Sequence, residues 1–253
     1  MGTRTEDVRL AYKTWKQVQE YLNYDQTVII PVGANEQHGP SCPVVTDTLL
    51  AEHLALEVGR RQGVLVGPTL PIGDSLIHLG FPGTIAFRPS TLMSVIKDYV
   101  TSLHKAGFRR FFVVNGHGDN KPPLQSAFSE LGEELSEIRY FVHDFWDFPN
   151  FREILNDEFG DPNGGHADAC DASLLMAIDP SLVNESLLTS EFPKVRYWIS
   201  RDLVDDLYTK SGVIGSDQRL ASKEVGKKLL EEAIQCYSQL LMELMEVKEP
   251  ALS

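Results

Sequence analysis

Short apolar runs alternate along the chain with longer amphipathic segments. The apolar runs predict strands at Thr27–Val32, Val64–Val66, Arg110–Val114 and Tyr140–Val142. The amphipathic segments predict helices at Asp47–Gln62, Ser90–Ala106, Pro122–Ser136 and Asp217–Glu246. Strands that alternate with helices of this length are typical of parallel βαβ units, in which helices cover both faces of the sheet. The pattern therefore predicts an α/β protein: a three-layer α/β/α sandwich around a mostly parallel sheet.

The segment from Phe148 to Arg201 has a more irregular pattern, and we expect it to form an insertion or a cover over one end of the sheet. The chain shows no internal repeat, low-complexity tract or linker. A single domain over residues 1–253 is therefore the simplest prediction.

Composition narrows the choice of partners and compartment. The chain of 253 residues has 23 basic and 36 acidic side chains and a net charge of −13, which argues against nucleic acid and anionic membranes as partners. No apolar stretch is long enough to span a bilayer, and the charged N-terminus does not resemble a secretory signal. The three cysteines are far apart, so we expect a cytoplasmic protein without a disulfide framework.

The first chemically promising cluster follows the strand Thr27–Val32. Glu36 and His38 are two residues apart, and Asp47 lies at the predicted start of a helix. Their oxygen and nitrogen donors suit zinc, manganese or iron better than calcium. The alternative is a polar loop in which Asp47 caps the helix.

A second cluster follows the strand Arg110–Val114 in the same way and presents His117 and Asp119 two residues apart. Ligands of open α/β sheets bind at the carboxyl ends of strands, so the two clusters are predicted to meet. The alternative is a tight turn in which Asn115 and Asp119 bind only backbone groups.

A third cluster holds His166 and Asp171 in a loop that is predicted to lead into a helix with an apolar sequence. A histidine titrates near neutral pH, which suits proton transfer. The alternative is that Asp168 and Asp171 are acids of the first helical turn that favour the helix dipole, and for Asp168 this is the better explanation. His78 lies in a connection rich in glycine and proline, which is predicted to form a pocket wall or an oligomer contact. The alternative for His78 is a surface polar residue.

Together these motifs resemble the creatininase-like amidohydrolase family over about residues 25–230. The resemblance rests on Glu36–Gly39 with Asp47, Phe81–Thr84, Asn115–His117, Phe145–Asp147, Gly165–His166, Asp171–Ser173, Ser211–Gly215 and Ala221–Ser222. It implies a three-layer fold, assembly as a homo-oligomer, usually a hexamer, and two divalent metal ions. It also implies that a water molecule activated by the metals attacks a small cyclic or linear amide.

The resemblance also implies roles for single residues. Glu36, His38, Asp47 and His117 match metal ligands, with Asp47 between the two ions, and zinc or manganese is expected before iron. Asp119 matches an acidic ligand of creatininase itself, and Asp171 matches a position that usually holds glutamate. His166 matches the histidine proposed for proton transfer.

Departures from the family pattern concern the substrate. Gly118 occupies a position where creatininase has tyrosine, and Pro162 occupies one where it has a second tryptophan, whereas Trp146 matches the first. A flat creatinine ring would therefore lack one aromatic wall. We expect Trp146 and Gly118 to contact a substrate other than creatinine, and a formamide or a small modified peptide are the alternatives.

A non-catalytic relative that serves as a binding or assembly subunit is the alternative from another class. Aspartates at positions 119 and 171 suggest it. The retained set of four matched ligands favours the enzyme.

Overall fold

The computed structural model describes residues 7–135, 137–160, 165–194 and 208–246. Its principal sheet has four parallel strands, β1 to β4, in the spatial order β2-β1-β3-β4. They are Thr27–Val32, Leu65–Val66, Arg110–Asn115 and Arg139–Asp144. Two further short strands, β5 and β6, form an antiparallel pair at Ser190–Glu191 and Ser216–Asp217.

Seven helices, α1 to α7, are found in the described part of the chain. They are Trp15–Leu22, Thr46–Gln62, Pro89–Ala106, Lys121–Glu134, Pro149–Phe159, Ala169–Ile178 and Lys223–Glu246. None of these helices combines the length and apolar character needed to cross a bilayer.

Two cores lie on opposite faces of the sheet because successive strand residues point in opposite directions. Ile29 and Phe112 pack with α2, α5, α6 and α7. Val28, Ile30 and Phe111 pack with α1, α3 and α4. All six residues of β1 are buried, as expected for a strand covered on both faces. The predicted three-layer α/β/α sandwich is confirmed.

The predicted strands and the first three helices lie where the pattern placed them, with small shifts at their ends. The predicted helix end at Ser136 lies outside the described residues, and α4 ends at Glu134. The predicted start of the last helix at Asp217 is wrong, because Asp217 belongs to β6. The Ser222 hydroxyl accepts a hydrogen bond from the Val225 N–H and caps α7, which begins at Lys223.

The segment predicted as irregular contains two helices, α5 and α6, in its described part. Helix α6 is buried over most of its surface, from Ala169 to Met176. A helix buried on most of its sides has no amphipathic period, so the sequence indicated α6 only through the loop that leads into it and the acids at its start. Helix α1 was not predicted.

Candidate metal centre

The candidate site lies at the carboxyl ends of β1 and β3. These strands are neighbours in the sheet, and Val32 at the end of β1 pairs with Asn115 at the end of β3. The chain leaves β1 toward β2 on one side, whereas β3 continues to β4 on the other. Such a switch in direction opens the crevice in which α/β proteins bind ligands. The two predicted clusters therefore meet at one edge.

Glu36, His38 and Asp47 are all buried here, although each is ionisable. His38 Nδ1 lies 3.0 Å from the Glu36 carbonyl oxygen, and its Nε2 lies 3.0 Å from Asp47 Oδ1. Because a carbonyl oxygen only accepts, Nδ1 carries a proton. The Nε2 atom can therefore bind a metal ion beside Asp47.

His117 reaches the same carboxylates from β3. Its Nδ1 lies 3.3 Å from Asp47 Oδ2, and its Nε2 lies 3.2 Å from Glu36 Oε2. The Nε2 atom also donates to the carbonyl oxygen of Asp74 at 2.6 Å. This contact fixes the ring and leaves Nδ1 facing Asp47. Asn120 supports it, because the Asp74 N–H donates to Asn120 Oδ1 at 2.9 Å.

Three carboxylate oxygens in this cluster are buried without a hydrogen-bond partner: Glu36 Oε1, Glu36 Oε2 and Asp47 Oδ2. A buried carboxylate without partners is costly unless a cation balances it. Ligand atoms of Glu36, His38 and Asp47 lie within 4.8 Å of one another. The donor set therefore fits a divalent metal ion with mixed nitrogen and oxygen ligands.

The electrostatics of the cluster agree with this fit. Burial raises the pKa of Glu36 to about 7, although the charge of His117 opposes the shift. Burial alone would lower the pKa of His38 and His117, but Asp47 and Glu36 raise both to about 10. In the metal-free protein the two imidazolium rings therefore supply the positive charge that the carboxylates require.

Asp119 and Asp171 lie at the edge of the cluster formed by Glu36, His38, Asp47 and His117. Asp119 lines the cavity and is half-buried. Asp171 Oδ2 is 3.9 Å from His38 Nε2, and it also accepts a hydrogen bond from the Asp168 N–H at 3.2 Å. Asp168 in turn accepts from the Asp171 N–H and caps α6, which agrees with its predicted helix role. Burial raises the pKa of Asp171 to about 8.

His166 and His78 both face the other oxygen of Glu36. His166 Nδ1 and His78 Nε2 lie 3.2 and 3.3 Å from Glu36 Oε1. His78 is only 3% exposed, so the alternative of a surface polar residue is wrong. Burial, reinforced by the charges of neighbouring histidines, lowers the pKa of His78 to about 3 and that of His166 well below its ordinary value.

A cavity of about 370 Å³ opens above these groups. Its apolar walls include Phe145, Trp146, Leu155, Ile77 and Ile214. Gly118 lies on its lining, and a Cβ atom added there would meet nothing within 4 Å. No lysine or arginine is among the described residues that line it. Pro162 lies outside the described residues.

Known proteins share this architecture. A sequence profile of the creatininase family, described as creatinine amidohydrolase, matches residues 11–241. The creatinine amidohydrolase of Pseudomonas putida is 29% identical over 250 residues, which cover 91% of this chain and 94% of that protein. The mycofactocin precursor peptide peptidase of Mycolicibacterium smegmatis is 38% identical over 113 residues, 42% of this chain and 45% of that protein.

A solved structure described as a manganese form of creatininase superposes with a TM-score of 0.83 at 25% identity. The match covers 96% of this chain and all of that one. The profile match extends over nearly the whole chain and agrees with the shared fold. The chain therefore belongs to the creatininase family.

Proposed function

We propose that the protein is a metal-dependent hydrolase that cleaves the C–N bond of a small cyclic or linear amide other than creatinine. The observation that carries this proposal is the group of three buried, unpartnered carboxylate oxygens on Glu36 and Asp47. Glu36 Oε2 and Asp47 Oδ2 lie 3.2 and 3.3 Å from the ring nitrogens of His117. The other oxygen of Asp47 lies 3.0 Å from His38 Nε2. A divalent metal ion would replace the imidazolium protons as the balancing positive charge, and the set offers it ligands of the kind that zinc and manganese accept.

Two divalent metal ions are proposed for this set, with zinc or manganese tested before iron. Glu36, His38, Asp47 and His117 would hold them, and the adjacent carboxylates of Asp119 and Asp171 are the further candidate ligands. Bound metals would activate a water molecule and polarise the amide carbonyl. The carboxylates would balance the charge of the metals in a site that lies almost out of contact with water.

His166 is proposed to transfer a proton to the amide nitrogen that leaves during hydrolysis. Its side chain is 19% exposed, more than that of any other histidine among the described residues that line the cavity, and it contacts Glu36. An amide nitrogen leaves poorly as an anion, so it must gain a proton as the C–N bond breaks. A neutral imidazole can take a proton from the attacking water and return it to that nitrogen.

The cavity supports the exclusion of creatinine and narrows the substrate class. Trp146 offers one aromatic wall, and the opposite side at Gly118 is open. An elongated amide therefore fits better than a ring that needs aromatic contacts on both faces. Because no cationic side chain lies on the described lining, a peptide-like amide is favoured over a phosphorylated formamide. Homo-oligomeric assembly, as a hexamer, and a cytoplasmic location remain predictions.

Metal content tests the proposal. The full chain, purified without chelator or histidine tag, is expected to hold two zinc or manganese ions, measured by elemental mass spectrometry. Asp47→Asn and His117→Ala should each reduce the metal content. Asp179→Asn is the matched control, because Asp179 lies far from the site and binds Ser181.

Activity is then measured on creatinine, formamides and short peptides after chelation and after restoration of each metal. The proposal requires turnover of at least one amide that is lost on chelation and returns with metal. A protein that takes up no zinc, manganese or iron would instead be a binding subunit. Full activity of His117→Ala would also contradict the site.

A further inference from the structure

Trp146, the aromatic wall of the cavity, lies in a short turn between β4 and α5. The turn, Phe145–Asp147, is a single 3₁₀ turn whose start is not capped by a side chain. Phe145 is buried, and its ring meets that of Trp146 edge-on with 4.7 Å between the centroids. The acids Asp144 and Asp147 flank the tryptophan and bind groups on other elements. The position of Trp146 therefore depends on contacts that its neighbours make.

Both of these acids bind the same lysine, Lys121. Its Nζ atom lies 2.8 Å from Asp144 Oδ2 and also contacts Asp147 Oδ2. The side chain of Asp144 is only 1% exposed, and a buried carboxylate needs a cation beside it. Lys121 supplies this charge. The lysine is not among the described residues that line the cavity, so it can affect the cavity only through the acids that it binds.

Lys121 belongs to a different part of the fold from Trp146. It is the first residue of α4 and directly follows the turn Gly118–Asn120. Gly118 and Asp119 in that turn line the cavity. One lysine side chain therefore connects two turns that line the cavity, one after β3 and the other after β4.

Asp144 extends this connection toward the candidate metal centre. Asn115 and Asp144 are paired at the ends of β3 and β4, and Asn115 Nδ2 donates to Asp144 Oδ1 at 2.7 Å. The same amide group donates to the His117 carbonyl oxygen at 2.6 Å. The ring of His117 is held separately, by the carbonyl oxygen of Asp74. A change at Lys121 should therefore alter the turn at Trp146 more than the metal centre.

Arg152 holds the same turn from α5. Its Nε atom donates to the Trp146 carbonyl oxygen at 3.0 Å, and its Nη2 atom binds Asp147 Oδ1. Asp147 thus binds two cations, one on each carboxylate oxygen. The side chain of Arg152 is 45% exposed, so water competes with its contacts, whereas the pair of Lys121 with Asp144 is anchored on a buried carboxylate.

We infer that Lys121 is a positioning residue that fixes Trp146 relative to the turn Gly118–Asn120 and thereby determines how tightly the cavity binds its substrate. This inference rests on the proposed hydrolase function. Because Lys121 does not line the cavity, its loss should weaken substrate binding more than it slows the chemical step.

Tryptophan fluorescence reports on Trp146 without turnover. The chain has three tryptophans, and the substitutions Trp15→Phe and Trp198→Phe leave Trp146 as the only one. In this background Lys121→Met should raise the acrylamide quenching constant by about 2-fold or more, since a turn without its support opens more often to solvent. Lys121→Arg should restore most of the difference, because arginine can still bind both carboxylates. An unchanged quenching constant in Lys121→Met would overturn the inference.

Steady-state kinetics test the consequence on the short peptide that the native chain hydrolyses fastest. Lys121→Met should raise KM about 2–10-fold, the range expected when an aromatic contact is lost. The value of kcat should change less than KM, and the metal content should stay the same. A fall in kcat with KM unchanged, or a loss of metal, would give Lys121 a structural role at the metal centre and overturn the inference.

Asp147→Ala is a second variant in case Lys121→Met fails to fold with Asp144 left without its cation. It keeps the buried pair of Lys121 with Asp144 and removes the contacts of Asp147 with Lys121 and Arg152. The quenching constant and KM should therefore rise as in Lys121→Met. Unchanged values in a folded Asp147→Ala variant would contradict the inference.

Lys97→Met is the matched control. Lys97 also binds two acids, Glu130 and Glu134 on α4, but none of these three is among the described residues that line the cavity. This variant should change neither the quenching constant nor KM, and changes equal to those of Lys121→Met would overturn the inference. Because quenching is measured without metal or substrate, a failure of the hydrolase proposal would be seen separately, as absence of metal and of hydrolysis in the native chain.

Discussion

A single residue, Gly118, leaves one side of the cavity open because it has no side chain. The space beyond its Cβ direction is free for 4 Å, and the residue lies on the cavity lining. Gly118→Tyr is therefore expected to fold normally and to place an aromatic ring into the cavity. The ratio of kcat/KM for an extended amide to that for a compact one should fall at least about 10-fold, the effect of a lost fit.

Parallel assays on short peptides and on small cyclic amides measure this ratio. Gly118→Ala is the control, because a methyl group would leave the cavity nearly as wide. A ratio that does not change in the tyrosine variant would mean that the substrate does not pass Gly118.

The side chains that meet at the candidate site could be predicted from the sequence because each pair follows an apolar strand at a spacing of two residues. Glu36, His38 and Asp47 meet His117 in the structure at the predicted edge. His78 could not be assigned to the site, since a loop without periodicity does not reveal which way a side chain points. The hydrogen bond from Gln37 to the Gly212 carbonyl oxygen could not be predicted either, because it joins segments far apart in the chain.

Helices α6 and α7 pack closely through Gly226. A Cβ atom at this position would lie 1.8 Å from the Ser173 carbonyl oxygen and 3.0 Å from Ala177 Cβ. Gly226→Ala should therefore push the helices apart and lower the free energy of unfolding by about 1–3 kcal/mol. Denaturant unfolding followed by circular dichroism measures the change.

Gly132 in α4 is the matched control for this change. A Cβ atom there would be 3.5 Å from Tyr140 Cε1, an ordinary contact. Gly132→Ala should stabilise the protein by up to about 1 kcal/mol, because alanine favours the helix. Equal effects of the two substitutions would contradict the packing described for Gly226.

Glu191 in β5 holds the loop that contains Gly212. Burial alone would raise its pKa, but hydrogen bonds from Ser211 and Thr209 outweigh burial and lower the pKa to about 2. The folded state therefore binds this proton less readily than the unfolded chain, whose glutamate has its ordinary pKa near 4.5. The stabilisation is present above pH 4.5 and is lost as the pH falls toward 2.

Glu191→Gln is expected to lower the free energy of unfolding by about 1 kcal/mol at pH 7, a value reduced for the partial exposure of the carboxylate. The difference from the native chain should shrink in denaturant titrations between pH 5 and 3. Glu20→Gln, on the exposed side of α1, is the matched control. If the difference in free energy of unfolding between the native chain and Glu191→Gln stayed constant with pH, the ionisation of Glu191 would not be its cause.

The strands and the helices between them could be predicted because a buried strand is apolar throughout and a helix at the surface is periodic. Helix α6 lacks that period because it is surrounded by protein. The start of α7 was misplaced because Ser216 and Asp217 pair with β5, an interaction that local pattern does not reveal.

At the scale of the whole molecule, the proposed ligands join separate parts of the fold. Glu36, His38 and Asp47 belong to the connection from β1 into α2, and His117 follows β3. Metal bound only by the folded chain would stabilise it by about 2.7 kcal/mol at 100 times its dissociation constant. For a chain of this size that raises Tm by on the order of 5–10 °C.

Differential scanning calorimetry with zinc, with manganese and after chelation measures the shift. The Asp47→Asn variant should show none of it, which separates binding at the site from general effects of the ions. An equal shift in that variant would place the stabilising metal elsewhere.

The three layers could be predicted because parallel strands must be covered on both faces. The order β2-β1-β3-β4 could not, since the hydrophobic pattern does not tell which strands become neighbours. That order decides where the site forms, because it makes β1 and β3 adjacent.

The adjacency of β1 and β3 also has a kinetic consequence. These strands are separated in sequence by α2, β2 and α3, so their pairing closes a long loop. Until it has formed, His117 is not held beside the other three proposed ligands, Glu36, His38 and Asp47. An ion that engages after the rate-limiting step of folding leaves the folding rate nearly unchanged and slows unfolding. A bound metal ion would then mainly lengthen the lifetime of the native protein by slowing its unfolding. Loss of the ion would shorten that lifetime and would change the refolding rate little.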